Sequence, residues 1–259
     1  MPSARNVAAI AGKELRGYFG SPIAWVLMGF FALLFGHFFN TYLTYFVEVG
    51  MRGGQMGGPP PTVNVNSDMI RPLLGNASVL VLFLLPMITM RAYSEEKRTG
   101  TIELLLTSPV TDVEITLGKF FAAVGMYGGL LAVTMLYVSV LFGLGSPEWK
   151  PIVAAYIGLL LLGSSFISLG LFISSTTKNQ VVAGSVTFLL LLLFWIINWS
   201  AESASPGVGA VLNYLSVTQH YDDFGKGVID TKHVVFYLSF ITFGLFLTLK
   251  SVDSERWRG

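Results

Sequence analysis

The sequence contains no cysteine and few charges, since Asp, Glu, Lys and Arg make up only 12% of its 259 residues. The absence of cysteine excludes disulfides, thiolate nucleophiles and metal sites built on thiolates. Soluble domains carry about 25% charged residues, so this composition, with 53% hydrophobic residues, argues against a surface that faces water. The formal net charge of +1 provides no overall basic field to attract nucleic acid. The composition therefore predicts a membrane protein.

Six apolar runs are long enough to cross a bilayer, because a spanning helix needs about 20 mostly apolar residues. Ser21 followed by Pro22, Pro72 and Pro151 mark helix starts, since serine caps a helix and proline suits its first turn. The six predicted spans lie at residues 22–45, 72–91, 118–142, 152–174, 180–199 and 233–249. We therefore predict an all-α membrane protein in which residues 1–259 form one transmembrane domain.

Residues 1–21, before the first span, have the pattern of an amphipathic helix. Apolar residues recur on one face at helical spacing and charged residues lie elsewhere. The apolar face consists of Val7, Ile10, Ala11, Leu15 and Tyr18. This pattern is typical of a helix that lies in the membrane interface, and an ordinary cytosolic helix leading into the first span is the alternative.

The distribution of Lys and Arg predicts the orientation, because cytoplasmic loops are enriched in both. With the N-terminus inside, the inner segments hold Arg5, Lys13, Arg16, Arg91, Lys97, Arg98, Lys119, Lys178, Lys250, Arg256 and Arg258. The outer segments hold the smaller set, Arg52, Arg71, Lys150, Lys226 and Lys232. Both termini are therefore expected in the cytoplasm.

The interiors of the spans almost lack ionisable side chains. The exception is His37 in the first span, which we interpret as a hydrogen-bonded residue between helices. Ion-coupled transporters and intramembrane enzymes depend on buried charges, so their absence argues against both classes.

Small residues are plentiful in the third and fourth spans and allow close helix packing. They are Gly125, Gly129, Gly158, Gly163, Ser164, Ser168, Gly170 and Ser174. The sequence leaves open whether they pack within the chain, contact a second subunit or line an apolar pathway.

The segment between spans two and three, residues 93–119, is the most charge-dense part of the chain. It starts with a mixed cluster at 95–98, and Gly100 then permits a sharp turn. Residues 102–106 form a short apolar helix that carries one acidic residue. These features together exceed what membrane topology requires and predict a contact surface, although inner loops are also charged simply to fix topology.

The end of this segment contains a helix start. Pro109 stops the short helix. Thr111 and Glu114 have the spacing of a capping box, in which each side chain bonds the backbone of the other. The next helix should therefore begin at Thr111 and continue through Lys119 into the third span.

Two further segments lie between spans on the other side. Residues 46–69 are rich in Gly and Pro and predict a linker. Within residues 201–232, the apolar stretch 208–217 is too short to span and predicts a re-entrant or interfacial helix. Four nearby residues have metal-binding side chains: His220, Asp222, Asp223 and His233. Their spacing matches no standard site, which favours polar loop ends over a metal cluster.

Several motifs, in this order and spacing, resemble the ABC-2 permease family and most closely its gliding-motility-associated group. In the segment between spans two and three they are Glu95, Gly100, Thr101, Glu103, Leu104, Leu105, Pro109, Glu114, Gly118 and Lys119, preceded by Pro86 to Arg91. Elsewhere they are Lys13 to Leu15, Ser21, Pro22, Gly170 to Phe172, Ser174, Ser175, Asn179, Gln180, His220, Asp223, Phe224, Gly227 to Asp230 and Tyr237. The resemblance covers nearly the whole chain.

This resemblance implies the transmembrane permease subunit of an ATP-binding cassette transporter, with a fold like that of type V exporters. The segment at 93–117 would supply a coupling helix that docks into a separate cytosolic ATPase. The expected coupling residues are Glu95, Glu96, Arg98, Gly100, Thr101, Glu103, Leu104, Leu105 and Pro109. A re-entrant element before span six would seal the outer end of the pathway, with Val211, Leu212, Tyr214 and Leu215 as gate candidates.

The expected partners follow from the same resemblance. ATP and Mg²⁺ would bind the ATPase, because this sequence lacks the phosphate-binding motif Gly-x-x-x-x-Gly-Lys-[Ser/Thr]. We expect no cofactor and no enzymatic activity in this chain. A second permease subunit, identical or paralogous, would complete a pathway in the bacterial cytoplasmic membrane, and an auxiliary membrane protein with a large outer domain is a further candidate partner beside the membrane lipids.

Two other functions remain open at this stage. One is an ATPase-driven machine or scaffold that transmits force to envelope or motility components without transport. The other is a membrane-embedded enzyme, which the lack of intramembrane polar residues disfavours.

Overall fold

The computed structural model describes residues 3–55 and 64–256, and this part of the chain is helical without any strand. The predicted linker residues 56–63 and Arg258 lie outside it. A π-helical turn, Asn66–Ile70, directly precedes the third helix. The helices are α1 (Ala4–Gly20), α2 (Pro22–Gln55), α3 (Arg71–Thr89), α4 (Ser94–Thr99), α5 (Ile102–Leu106), α6 (Asp112–Leu144), α7 (Trp149–Thr176), α8 (Gln180–Ser203), α9 (Pro206–Leu215), α10 (Val217–Gly225) and α11 (Thr231–Arg256).

Six helices are long and apolar enough to cross a membrane: α2, α3 with its flanking turns, α6, α7, α8 and α11. The prediction of an all-α protein with six spans is confirmed. The helices are longer than the apolar runs, because helical hydrogen bonding continues into the polar residues that flank a membrane-spanning segment. The linker predicted at 46–69 is therefore wrong at both ends: α2 runs to Gln55, and the chain is helical again from Asn66.

The spanning helices differ strongly in burial, and α7 lies at the centre. Its most apolar window is 78% buried, against 61% for α3 and only 17% for α2 and for α8. The central helix packs against α3, α6, α8, α10 and α11. The apolar surfaces of α2 and α8 are thus left for lipid or another chain.

Glycines of α7 make this packing close. A Cβ at Gly163 would lie 2.2 Å from the ring of Tyr127 in α6, and one at Gly170 would lie 2.2 Å from the hydroxyl of Thr89 in α3. Gly244 of α11 meets Ser168 in the same way. The sequence leaves open whether the small residues pack within the chain, contact a second subunit or line a pathway. At Gly163 and Gly170 the structure shows packing within the chain.

The N-terminal helix α1 packs along the first half of α6. Ile10 and Leu15 lie over Gly118 and Gly125, and Phe19 lies over Gly129. Part of the apolar face predicted from the sequence therefore packs, partly buried, against another helix of the chain. The position of α1 in the membrane interface stays a prediction.

The bundle has two ends that we name by their contents. The terminal face carries the start of α1, the segment 93–119, the α7–α8 junction and the end of α11, where Ser251 bonds the carbonyl of Ser175. The opposite face carries α9, α10, the π-helical turn and the start of α7, where Asn66 and the backbone of Glu148 exchange two hydrogen bonds of 2.8 and 2.9 Å.

Candidate functional site

The segment at 93–119 folds as the sequence predicts, into a short helix, a turn, a second short helix and a capped helix start. Gly100 ends α4 with φ +74°, a left-handed conformation that favours glycine. At Thr111 the hydroxyl accepts the N–H of Glu114 at 3.3 Å, and the Glu114 carboxylate accepts the N–H of Thr111 at 2.8 Å. The predicted capping box is confirmed, so α6 begins with a fixed direction.

A buried lysine ties this segment to two other helices. The Nζ of Lys119 lies 3.1 Å from Oε1 of Glu14 in α1 and 2.8 Å from Oε1 of Glu96 in α4, and only 2% of its side chain is exposed. The ammonium also lies 5.1 Å from the centre of the Tyr93 ring. A buried ammonium needs such partners, because its removal from water costs several kcal/mol. Lys119 therefore fixes α4 and α1 to the first turns of α6.

Two further contacts tie the segment to the central and last spanning helices. Ser174 of α7 accepts the backbone N–H groups of Tyr93 and Ser94 at 3.1 and 3.2 Å. The buried Lys97 of α4 pairs with Glu255 near the end of α11 at 2.7 Å. Because α4 is bonded to α6, α7 and α11, a displacement of α4 would exert force on all three helices.

Most of the predicted coupling residues are exposed, and one of them, Glu96, faces the interior of the fold. Leu104 is 73% exposed. Exposed with it are Glu95, Arg98, Gly100, Thr101, Glu103 and Pro109. Glu96 instead turns inward to Lys119, so its observed contacts belong to the anchor rather than to the exposed surface. The side chain of Leu105 lies outside the described part of the structure.

Sequence reasoning did not identify the anchoring residues. The sequence places Lys97 in the charged cluster at 95–98 and Lys119 in the helix that leads into the third span, without a partner for either, and it assigns Glu14 and Glu255 no role. The available signal was the position of Lys119 inside an otherwise apolar helix, next to Gly118, where a charge requires a partner.

The outer gate candidates lie on α9, which packs against α8. Val211 is 59% exposed and Tyr214 65% exposed, Leu215 is also exposed, and Leu212 is partly buried. A single copy of the chain therefore leaves this apolar face uncovered. The sequence predicts one short helix over 208–217, whereas the structure has α9 and then α10, which begins after Ser216 caps it by accepting the N–H of Gln219.

A chain of hydrogen bonds connects α9, α10 and α11. The Nε2 of His220 lies 2.9 Å from the carbonyl oxygen of Tyr214, and its Nδ1 lies 2.6 Å from Nδ1 of His233. The Nε2 of His233 lies 2.9 Å from Oδ2 of Asp223. Burial lowers the pKa of His220, and the hydrogen bond from His233 lowers the pKa of Asp223.

The structure thus brings together three of the four residues considered as metal ligands, but as a hydrogen-bonded chain. Asp222 is turned away and lies 3.6 Å from Arg71. Among the described residues, no group of three or more His, Asp or Glu side chains is arranged to hold a metal ion. The preference for polar loop ends over a metal site stays a prediction.

His37 does not have the surroundings expected from the sequence. Its side chain is exposed on α2, and its ring neighbours that of the adjacent Phe38 at 6.1 Å. The interpretation as a residue between helices of this chain is wrong, because helical geometry turns this position away from α3 and α6.

A protein-family model matches the chain. Residues 60–222, well over half of the chain, match a family described as ABC-2 family transporter protein. The match includes the segment at 93–119 and ends within α10. None of the curated proteins compared with the chain matches it.

Proposed function

The chain belongs to the ABC-2 transporter family, and we propose that it is an export permease that a separate cytosolic ATPase drives through the segment 93–119. The family makes it a multi-pass membrane component of an ABC transporter. Export, the ATPase and the orientation in a bacterial cytoplasmic membrane are parts of the proposal.

The observation that carries the proposal is the combination of an exposed tip with a buried anchor. The tip presents Leu104 beside Glu103, a small apolar contact with a charged neighbour. The anchor is the pair of buried lysines, Lys97 and Lys119, with their carboxylate partners on α1, α4 and α11. Force applied to such a tip passes into spanning helices instead of bending a loose loop, because ion pairs and packed helices connect the two.

In this proposal the energy comes from ATP hydrolysis by the partner ATPase. The sequence lacks the phosphate-binding motif of ATPases, and the spanning helices offer few charges for an ion-coupled mechanism. ATP and Mg²⁺ would therefore bind the ATPase alone. ATP-driven closure of the ATPase would push the tip toward the membrane.

A second permease subunit completes the proposed pathway. The apolar surfaces of α2, α8 and α9 are exposed in one chain, and a second copy or a paralogue would cover part of them. The face of α9 with Val211 and Tyr214 would then close the outer end. An auxiliary membrane protein would contact the opposite face.

The test is a charge placed in the tip. We expect Leu104→Asp to reduce copurification of the ATPase by about tenfold or more, since the loss of one well-buried leucine contact costs about 1.5–3 kcal/mol. The partner is identified by its phosphate-binding motif and by ATP hydrolysis that the permease stimulates in proteoliposomes. Glu103→Lys should weaken the same stimulation.

Lys178→Ala is the matched control, because this exposed residue lies on the terminal face outside the segment. It should leave ATPase binding unchanged. Equal ATPase binding and stimulation by wild type, Leu104→Asp and Glu103→Lys would refute the role of the tip.

A further inference from the structure

A cleft on the terminal face has a lining that changes from apolar to charged. It lies between α1, α2 and α3, and its volume is about 340 Å³. Leu27, Met87 and Met126 line its apolar part. Glu14, Arg91 and Glu95 line its charged part, and the same three residues line a neighbouring cavity of about 570 Å³ under α5.

Arg91 differs from the other cations that this face holds inside the fold. Lys97 and Lys119 both have carboxylate partners. Arg91 is partly buried, its Nε is buried without a hydrogen-bond partner, and it makes no ion pair within the described part of the chain. A buried N–H without a partner costs free energy, and the guanidinium has no counter-charge, so an anion that accepts from Arg91 would complete the site.

The position of Arg91 identifies the source of that anion. Met87, Arg91 and Glu95 succeed one another at intervals of four residues from the spanning helix toward the terminal face. Arg91 therefore lies where the apolar layer ends, which is the depth of phospholipid phosphates. Guanidinium groups bind phosphate oxygens through two parallel hydrogen bonds.

The size and the other charges of the cleft define the headgroup. Pockets for small molecules measure about 300–1,000 Å³, so this cleft has room for a headgroup while the acyl chains stay in the bilayer. Glu95 is exposed at the rim, and Glu14 is shared with Lys119. Because Glu14 already pairs with Lys119, Glu95 is the carboxylate that remains for a ligand, and it favours a headgroup that carries an amine next to its phosphate.

We propose that this cleft binds a phosphoethanolamine lipid of the adjacent leaflet, with the phosphate on Arg91 and the amine toward Glu95. The lipid would fill the space between α1 and α3 directly before the segment 93–119. The site does not depend on the proposed transport function.

The experiment is native mass spectrometry of the full chain, purified in detergent, stripped of lipid and titrated with phosphatidylethanolamine. Arg91→Gln should weaken binding by about tenfold to a hundredfold, the effect of losing one or two charge-assisted hydrogen bonds. Arg98→Gln is the matched control, because Arg98 is exposed and lines neither cavity. Equal binding by Arg91→Gln and wild type would overturn the proposal.

Further experiments use the wild-type chain, so their results do not depend on whether a variant folds. A phosphatidylethanolamine with a photoactivatable headgroup should crosslink to peptides containing Glu14 or residues 91–95, and crosslinking confined to other peptides would overturn the site. Inorganic phosphate at millimolar concentration should not displace the lipid, and displacement would indicate a site for free anions instead. Phosphatidylglycerol should bind more weakly, and equal binding would contradict the role given to Glu95.

Discussion

The two ends of the bundle hold their non-spanning segments by different chemistry. On the terminal face, two ion pairs with buried lysines hold α4. Lys97 of α4 pairs with Glu255 of α11, and Lys119 of α6 pairs with Glu96 of α4. On the opposite face, α10 is held by the hydrogen-bonded chain of His220, His233 and the Asp223 carboxylate. The hydroxyl of Tyr237 also donates to the carbonyl of Val217 at 2.8 Å.

This difference indicates different tasks. The ion pairs of two buried lysines give the terminal face an anchor suited to force. His220 on the opposite face can gain a proton on acidification, so the anchor there can be released by acid. The following predictions break one anchor while sparing the other.

The largest effect is expected at the terminal face from Lys119→Met. The substitution leaves Glu14 and Glu96 near each other without their ammonium, which should lower the free energy of unfolding by about 3 kcal/mol. Titration with sodium dodecyl sulfate in mixed micelles measures this loss. Lys178→Met, at an exposed position on the same face, should have little effect, and equal losses in the two variants would contradict the anchor.

The next effect is expected at the opposite face from Gly158→Ala. The added Cβ would lie 2.5 Å from Cβ of Phe224, so α10 must shift, at a cost of about 2 kcal/mol. Hydrogen exchange should increase in residues 217–225 and not in 94–99. Gly75→Ala is the control, because its Cβ meets nothing within 4 Å and helix propensity should make it neutral or stabilising.

A smaller effect is expected from the second lysine of the terminal face. Lys97 and Glu255 should show a coupling energy of about 1 kcal/mol in a double-mutant cycle with Lys97→Met and Glu255→Gln, since Glu255 is partly exposed. The same micelle titration measures it. Additive effects of the two substitutions would show that the pair contributes nothing to stability.

The smallest effect is a pH dependence confined to the opposite face. Burial lowers the pKa of His220 below 6.5, so the folded state favours the neutral ring. This contribution to stability is complete above the unfolded pKa and is lost as the pH falls below 6.5 toward the folded pKa. Exchange in residues 206–225, corrected for the intrinsic rate, should rise on acidification, while exchange in 94–106 stays constant.

His220→Gln should remove this pH dependence, because an amide keeps a hydrogen bond and does not titrate. His37→Gln, at the exposed position on α2, should preserve it. A pH dependence that persists unchanged in His220→Gln would assign the effect to another group.

The sequence predicted the local parts of both ends well. The capping box of Thr111 and Glu114, the turn at Gly100 and the start of α2 at Pro22 are all in the structure, because each depends on residues within one helical turn. The partners of the buried lysines were missed, since Glu14 and Glu255 are far from the segment in sequence.

The sequence by itself determined six spans and an all-helical fold, because the free energy of placing apolar residues in a bilayer depends on composition over about 20 residues. Only the tertiary structure decided which helix is central, and that Glu96 faces Lys119 instead of solvent. It also decided that His220 meets His233. These facts depend on how helices approach across the bundle, where shape and charge pairing between residues distant in sequence select one arrangement.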